Sequence, residues 1–214
     1  METISVLAVN AAISAADASK IVPRAEFRVF GQGVIDVVQQ KMWDAGATLQ
    51  KARRMPAETY FISRQTDAAN VKVRDGLLDI KLKTGETPEG YEIFQPAGKF
   101  QFPVKQSDLV VILGHLHATM KLEKESFAID EFIAMARAHA ELSPVTVEKM
   151  RYGFMVGGVI CEYARVWFNG AMIETACCES ENYAGMKNVV ESLGIAAMPN
   201  TSYLRAAKRV VGMI

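Results

Sequence analysis

The chain has 214 residues, of which half are hydrophobic, enough to bury a sizeable core in one large domain or two small ones. Its 24 basic and 24 acidic residues cancel, which excludes a global field of the kind that marks generic nucleic-acid or membrane-surface binders, so any anion site has to be local. Three cysteines, two of them the adjacent Cys177 and Cys178, make no disulfide framework and point to a reducing compartment, the cytoplasm by default.

The opening METISVLAVNAAISAADASK is mildly apolar, lacks a basic stretch ahead of its apolar part and falls short of a membrane span. It reads as an N-terminal arm over residues 1–20, ahead of a single domain over 21–214, and no membrane association is expected. RAEFRVF then alternates as a strand, with Arg24, Glu26, Arg28 and Phe30 on one side. GQGVIDVVQQKMWDAGA carries apolar residues at helical spacing through Val34, Val37, Val38 and Met42, with a stop near Gly46. ETYFIS is the next strand.

NVKVRDGLLDIKLK follows, and Asp75-Gly76 between two alternating runs signals a two-residue type I′ hairpin, because that turn needs positive φ at both central positions. In this register Lys72 lies opposite Asp79. Lys72, Arg74, Asp79, Lys81 and Lys83 share one face, and Val71, Val73, Leu78, Ile80 and Leu82 the other. Such a charged face either looks at water or lines a pocket for a polyanion.

GYEIFQ gives a further strand, LVVILGHLHATMKLE reads as strand, and FAIDEFIAMARAHAELS is an amphipathic helix. On a strand His115 and His117 would face the same way, but no third ligand for a metal accompanies them. PVTVEKMRYGFMV alternates with Lys149 and Arg151 on one side. In the next hairpin Asn169-Gly170 is the turn, pairing Phe168 with Ala171, Arg165 with Glu174 and Glu162 with Cys177. Glu162, Thr175, Cys177, Glu179 and Glu181 then fall on one face. Cys177 invites a nucleophile reading, but no base accompanies it and a small core filler fits better. NYAGMKNVVESLG and SYLRAAKRVVG close the chain as short helices. Strands in meanders outnumber helices, which suits an α+β domain built on a large antiparallel sheet, closed into a barrel with helices outside. Were the two charged faces to point inward, cations and carboxylates would share one interior, a costly arrangement unless they pair, stay wet or hold a charged ligand.

From Arg24 to the C-terminus this order and spacing resembles the CYTH superfamily, or triphosphate tunnel metalloenzymes, which includes class IV adenylyl cyclases, thiamine triphosphatases and inorganic or RNA triphosphatases. RAEFRVFGQGVIDVVQQKMWDAGA looks like the family's first strand and helix. VKVRDGLLDIKLK and VEKMRYGF look like its basic strands, and CCESENYAGMKNVVESLGI with NTSYLRAAK like its closing acidic strand and helices. The resemblance implies an eight-stranded antiparallel tunnel, with Arg28, Lys72, Arg74, Lys81, Lys149 and Arg151 as phosphate ligands. It also implies Mg²⁺ or Mn²⁺ on Glu26, Glu162, Glu179 and Glu181, with Glu26 and Glu179 as the catalytic pair. The implied chemistry is metal-dependent hydrolysis of a phosphoanhydride bond in a small triphosphate-type polyanion; oligomerisation stays open. Two departures accompany it. Where the family's first strand carries Glu-x-Glu-x-Lys, this chain has Arg24-x-Glu26-x-Arg28. In the closing strand Cys177 and Glu179 stand where two glutamates are usual, with Glu181 a substitute if the strand slips by two. The rival reading is a catalytically degenerate barrel that binds anions or serves a partner protein.

Overall fold

The computed structural model describes residues 22–44 and 48–214. The expected arm over 1–20 and the helix stop at Gly46 lie outside these residues. Eight strands close into one antiparallel barrel: β1 (Arg24–Gly31), β2 (Thr48–Ser63), β3 (Ala69–Arg74), β4 (Leu77–Glu86), β5 (Glu92–Gln101), β8 (Leu142–Val156), β9 (Val159–Phe168) and β10 (Ala171–Ser180). Their order around the wall is β1-β10-β9-β8-β2-β3-β4-β5. A two-stranded ribbon, β6 (Val104–Lys105) with β7 (Ser126–Phe127), sits apart. The helices are α1 (Val34–Asp44), α2 (Gln106–His115), α3 (Ile129–Ala138), α4 (Tyr183–Ser192) and α5 (Tyr203–Val210). Among the described residues no helix is long and apolar enough to cross a membrane.

Both hairpin dipeptides set the register that the sequence predicts. Asp75 and Gly76 adopt φ of 52° and 73°, and Asn169 and Gly170 49° and 88°, so both turns have the positive φ values of type I′. Lys72 lies opposite Asp79, and Phe168, Arg165 and Glu162 lie opposite Ala171, Glu174 and Cys177.

The apolar sides of these ribbons face outward, because that is where the helices are. Phe61, Val71, Leu78 and Ile80 pack under Leu109, Ile112 and Leu113 of α2 and Phe132 and Ala136 of α3, all buried. Across the barrel, Ala25, Phe27, Val29, Ala176 and Cys178 pack under Val34, Val38 and Met42 of α1 and Met186, Val189 and Val190 of α4. With these apolar sides covered by helices, the alternate residues face the lumen, charged along much of its length and apolar near one end, where Ile62, Val145, Val147 and Val166 lie.

The segment LVVILGHLHATMKLE departs from expectation. It forms α2 and an irregular continuation, not a strand. Leu109, Ile112, Leu113 and Leu116 recur at helical spacing and are buried, whereas Val110 and Val111, whose β-branching favours the strand reading, are the exposed pair. His115 ends the helix and His117 follows in a left-handed conformation, so the two do not share a strand face.

One end of the barrel is closed. Tyr203, at the start of α5, packs against Phe30 (5.2 Å between ring centroids), Tyr60 (6.0 Å) and Phe168 (6.2 Å). Leu204, Ala206 and Ala207 join Ile62, Val145, Val147 and Val166 in a third apolar cluster there. Helix α5 thereby acts as a floor at this end.

Candidate functional site: a charge-lined lumen

The lumenal side chains form three groups, least exposed near the floor and most exposed at the mouth. The deepest group centres on Glu58, whose side chain is 2 % exposed. Lys149 and Lys72 both donate to its Oε2, at 2.6 and 3.2 Å, and both reach the Tyr60 hydroxyl, at 3.1 and 3.3 Å. Arg74 Nε lies 4.0 Å from the other carboxylate oxygen. Strand β2 places Glu58 between its two cations because β3 and β8 are its neighbours on either side. Burial alone would raise the Glu58 carboxyl, yet Lys149 and Lys72 outweigh it and hold the group down at about 2. Burial and the like charge of Lys149 push Lys72 down to about 7 against the pull of Glu58. Burial likewise lowers Lys149.

The second group surrounds Arg28. Its Nε donates to Glu26 at 2.7 Å, Nη2 to Cys177 Sγ at 3.0 Å and Nη1 to Thr175 Oγ1 at 3.4 Å. Nη1 also lies 3.7 Å from Glu162, and the guanidinium stacks over the Tyr203 ring at 4.5 Å. Arg151 Nε donates to Glu162 Oε2 at 2.5 Å. Burial works against ionisation of Glu26, but Arg28 prevails and its pKa is lowered. Burial pushes the Cys177 thiol well up, against the opposing pull of Arg28, which donates to its Sγ.

The third group sits towards the mouth. Arg74 pairs with Asp79 at 2.6 Å, Lys83 with Glu86 at 2.5 Å and Glu92 at 3.0 Å, and Arg24 with Glu181 at 3.1 Å and Glu179 at 3.4 Å. Lys81 shares the lumenal parity of Asp79, is exposed, and contributes to lowering Glu26. A cavity of about 90 Å³ is lined by Asn70, Lys72, Asp79, Lys81 and Lys99, and another of about 190 Å³ by Lys51, Arg151, Gly153 and Glu162. A larger cleft of about 380 Å³ beside Lys121, Phe127 and Met135 lies away from these groups.

Arg28, Lys72, Arg74, Lys81, Lys149 and Arg151 thus share one interior with Glu26, Glu162 and Glu179. Glu26 lies opposite Glu179 and Arg28 opposite Cys177 in the β1–β10 register, so the strand does not slip. Glu181 falls beyond the end of β10, exposed at the mouth.

Residues that the sequence reading passes over are Glu58 and Tyr60 at the centre, Arg53, which is exposed and opposite Arg151 in the β2–β8 register, and the floor residue Tyr203. The alternation in ETYFIS puts Glu58 and Tyr60 on one face, a signal that lacks only the direction of that face.

The donor set does not fit the divalent cation that the resemblance implies. Arg28 lies on Glu26 and near Glu162, Arg151 holds Glu162, and Arg24 holds Glu179 and Glu181. Among the described residues no three His, Cys, Asp or Glu side chains converge to hold a metal. Mg²⁺ and Mn²⁺ need several oxygen donors at once, and here those oxygens are spent on guanidinium groups.

Fold and lumen together define a class: a closed, eight-stranded antiparallel barrel with a floor and a lumen of mixed charge. No family profile matches the chain, and no curated protein does either. Solved structures do. A conserved hypothetical protein from Pyrococcus furiosus aligns with a TM-score of 0.48 and 14% identity over 85% of this chain and 98% of its own. A candidate adenylyl cyclase from Hippeastrum, described as having a dominant triphosphatase activity, aligns at 0.48 and 12% over 89% and 96%. A candidate adenylate cyclase from Bacillus halodurans aligns at 0.45 and 10% over 87% and 98%. These likenesses concern the course of the chain and carry nothing about its chemistry.

Proposed function

We propose that the lumen binds a small polyanion of the triphosphate type. One observation carries this reading: Lys72 and Lys149 share a single oxygen of Glu58, so two buried ammonium groups crowd one acceptor. Each ammonium has three donors, and Glu58 and Tyr60 take two from each. A phosphate oxygen would offer both ammonium groups a further acceptor. An entering phosphate chain would relieve the repulsion that depresses Lys72, with Arg74 and Lys81 towards the mouth and Arg28 and Arg151 deeper in the lumen. Arginine suits this task by offering forked donors, lysine by offering point charge.

Hydrolysis of a phosphoanhydride bond is a second reading, favoured by the gathering of Lys72, Lys149 and Arg74 around Glu58. The lumenal carboxylates Glu58 and Glu26 are held ionised at low pKa, which makes them weak bases, whereas Lys72 near 7 is poised to exchange a proton at neutral pH. Cationic neighbours would then stabilise the charge that develops on the leaving phosphate.

The test is calorimetric titration with tripolyphosphate alongside phosphate release from tripolyphosphate, ATP and thiamine triphosphate. Binding with saturable stabilisation of the fold is expected, and its loss in a Lys72→Ala/Arg74→Ala variant that still folds. Stabilisation without phosphate release selects the binding reading. Absence of both in the unmodified protein overturns the proposal and leaves a partner on the outer surface as the remaining role.

A further inference from the structure

We propose that this lumen takes its polyanion free of divalent metal, the guanidinium of Arg28 supplying the positive charge that a metal would bring. The inference rests on polyanion binding in the lumen and specifies the form in which the polyanion enters.

Arg28 is held on every side. It donates one hydrogen bond each from Nε, Nη1 and Nη2 to Glu26, Thr175 and Cys177, its Nη1 lies 3.7 Å from Glu162, and Tyr203 covers one face of its plane. The Thr175 hydroxyl donates to the Val29 carbonyl at 2.7 Å, so its lone pairs are turned to Arg28 and fix the guanidinium in place. The backbone beneath is pinned as well: Arg28 N donates to the Asn200 side chain at 2.9 Å, and Arg28 O accepts from Thr201 N at 2.7 Å. This is a rigid, permanently charged group, because a guanidinium does not lose its proton in a protein.

Its position is what matters. Arg28 lies between two lumenal carboxylates, 2.7 Å from Glu26 and 3.7 Å from Glu162. A divalent ion would have to displace Arg28 and Arg151 from these oxygens while remaining close to both positive charges. Cys177, opposite Arg28 where an oxygen ligand would complete a set, offers a protonated thiol instead. A polyphosphate arriving as its magnesium complex would bring a second cation into a site that has its own. The free anion is the matching partner.

Calorimetry on the full chain separates the cases. Tripolyphosphate is titrated in EDTA and again with excess Mg²⁺, and Mn²⁺ is titrated alone. The expected result is binding in EDTA, weaker binding when Mg²⁺ ties up the anion, and no heat from Mn²⁺ alone. An Arg28→Gln variant, checked for folding by circular dichroism, should lose about tenfold or more in tripolyphosphate affinity in EDTA and acquire Mn²⁺ binding as Glu26 is freed and one of the two cations beside Glu162 is removed. If that variant does not fold, the three titrations of the unmodified protein decide alone. Tripolyphosphate binding that requires Mg²⁺ or Mn²⁺ overturns this inference and leaves polyanion binding standing; no tripolyphosphate binding in either buffer overturns both.

Discussion

Lys72 and Lys149, carried by strands that are not neighbours in the barrel, meet at one oxygen of Glu58, 3.2 and 2.6 Å from their ammonium nitrogens. Strand β2 runs between β3 and β8, so a lumenal residue on β2 is reached from both flanks. The bulge that shifts the β2–β8 register between Met55 and Glu58 adjusts where that residue falls. The cluster holds the conflict that the proposed function uses: among the described residues, two largely buried cations pair with the one carboxylate of Glu58.

Glu58→Gln removes the anion and keeps the shape. Two buried ammonium groups would lose their charged partner, a change that costs about 3 to 5 kcal/mol for a buried pair. The lower end of that range is expected, because Lys72, already near 7, can shed its proton. Thermal denaturation should show the loss. Tripolyphosphate should restore more stability to the variant than it adds to the unmodified protein, since it would supply the negative charge that Glu58 no longer brings.

The same carboxylate sets an acid limit. Its pKa is about 2 in the folded barrel against an ordinary 4.5, so it contributes stability above about 4.5 that is lost as pH falls towards about 2. The gap in melting temperature between the unmodified protein and Glu58→Gln should therefore close across that window on acidification. A gap that persists unchanged at the acid end would contradict the assignment.

Lys72 predicts the opposite limit for ligand binding. Its ammonium is lost as pH rises through about 7, so affinity for tripolyphosphate should fall through that region. In a Lys72→Met variant affinity should be weaker throughout, and the step should be absent. Parallel titrations of the two proteins remove the ligand's own protonation from the comparison.

The lumen stays polar because the outer wall is packed. Phe61 is fully buried and stacks on Phe132 of α3 at 4.4 Å between centroids. Phe61→Ala should cost about 3 to 5 kcal/mol, read as a lowered denaturation midpoint. Polyanion affinity measured below that midpoint should change little, because Phe61 faces away from the cavity.

Local chemistry made much of this architecture legible in the sequence. Asp75-Gly76 and Asn169-Gly170 are turns whose positive φ few other pairs accept, so each fixed its hairpin register and, by parity, which charges share a side. Helices α1, α3, α4 and α5 announced themselves by their apolar spacing. Helix α2 did not, because Val110 and Val111 favour a strand when read alone and only packing on β2–β4 shows that they are its exposed face.

What parity cannot supply is direction. A ribbon with one charged and one apolar side is equally consistent with charges in water or charges in a cavity, and the choice was made by α1 to α4 covering the apolar sides from outside. Closure then brought Glu58 between Lys72 and Lys149, and set Arg28 among Glu26, Glu162 and Cys177, partners as far as 149 residues away along the chain. Residue types and alternation are properties of the neighbouring few positions and were written in the sequence. Which charges meet depends on the curvature that closes eight strands into one wall, and that is settled only when distant segments pack together.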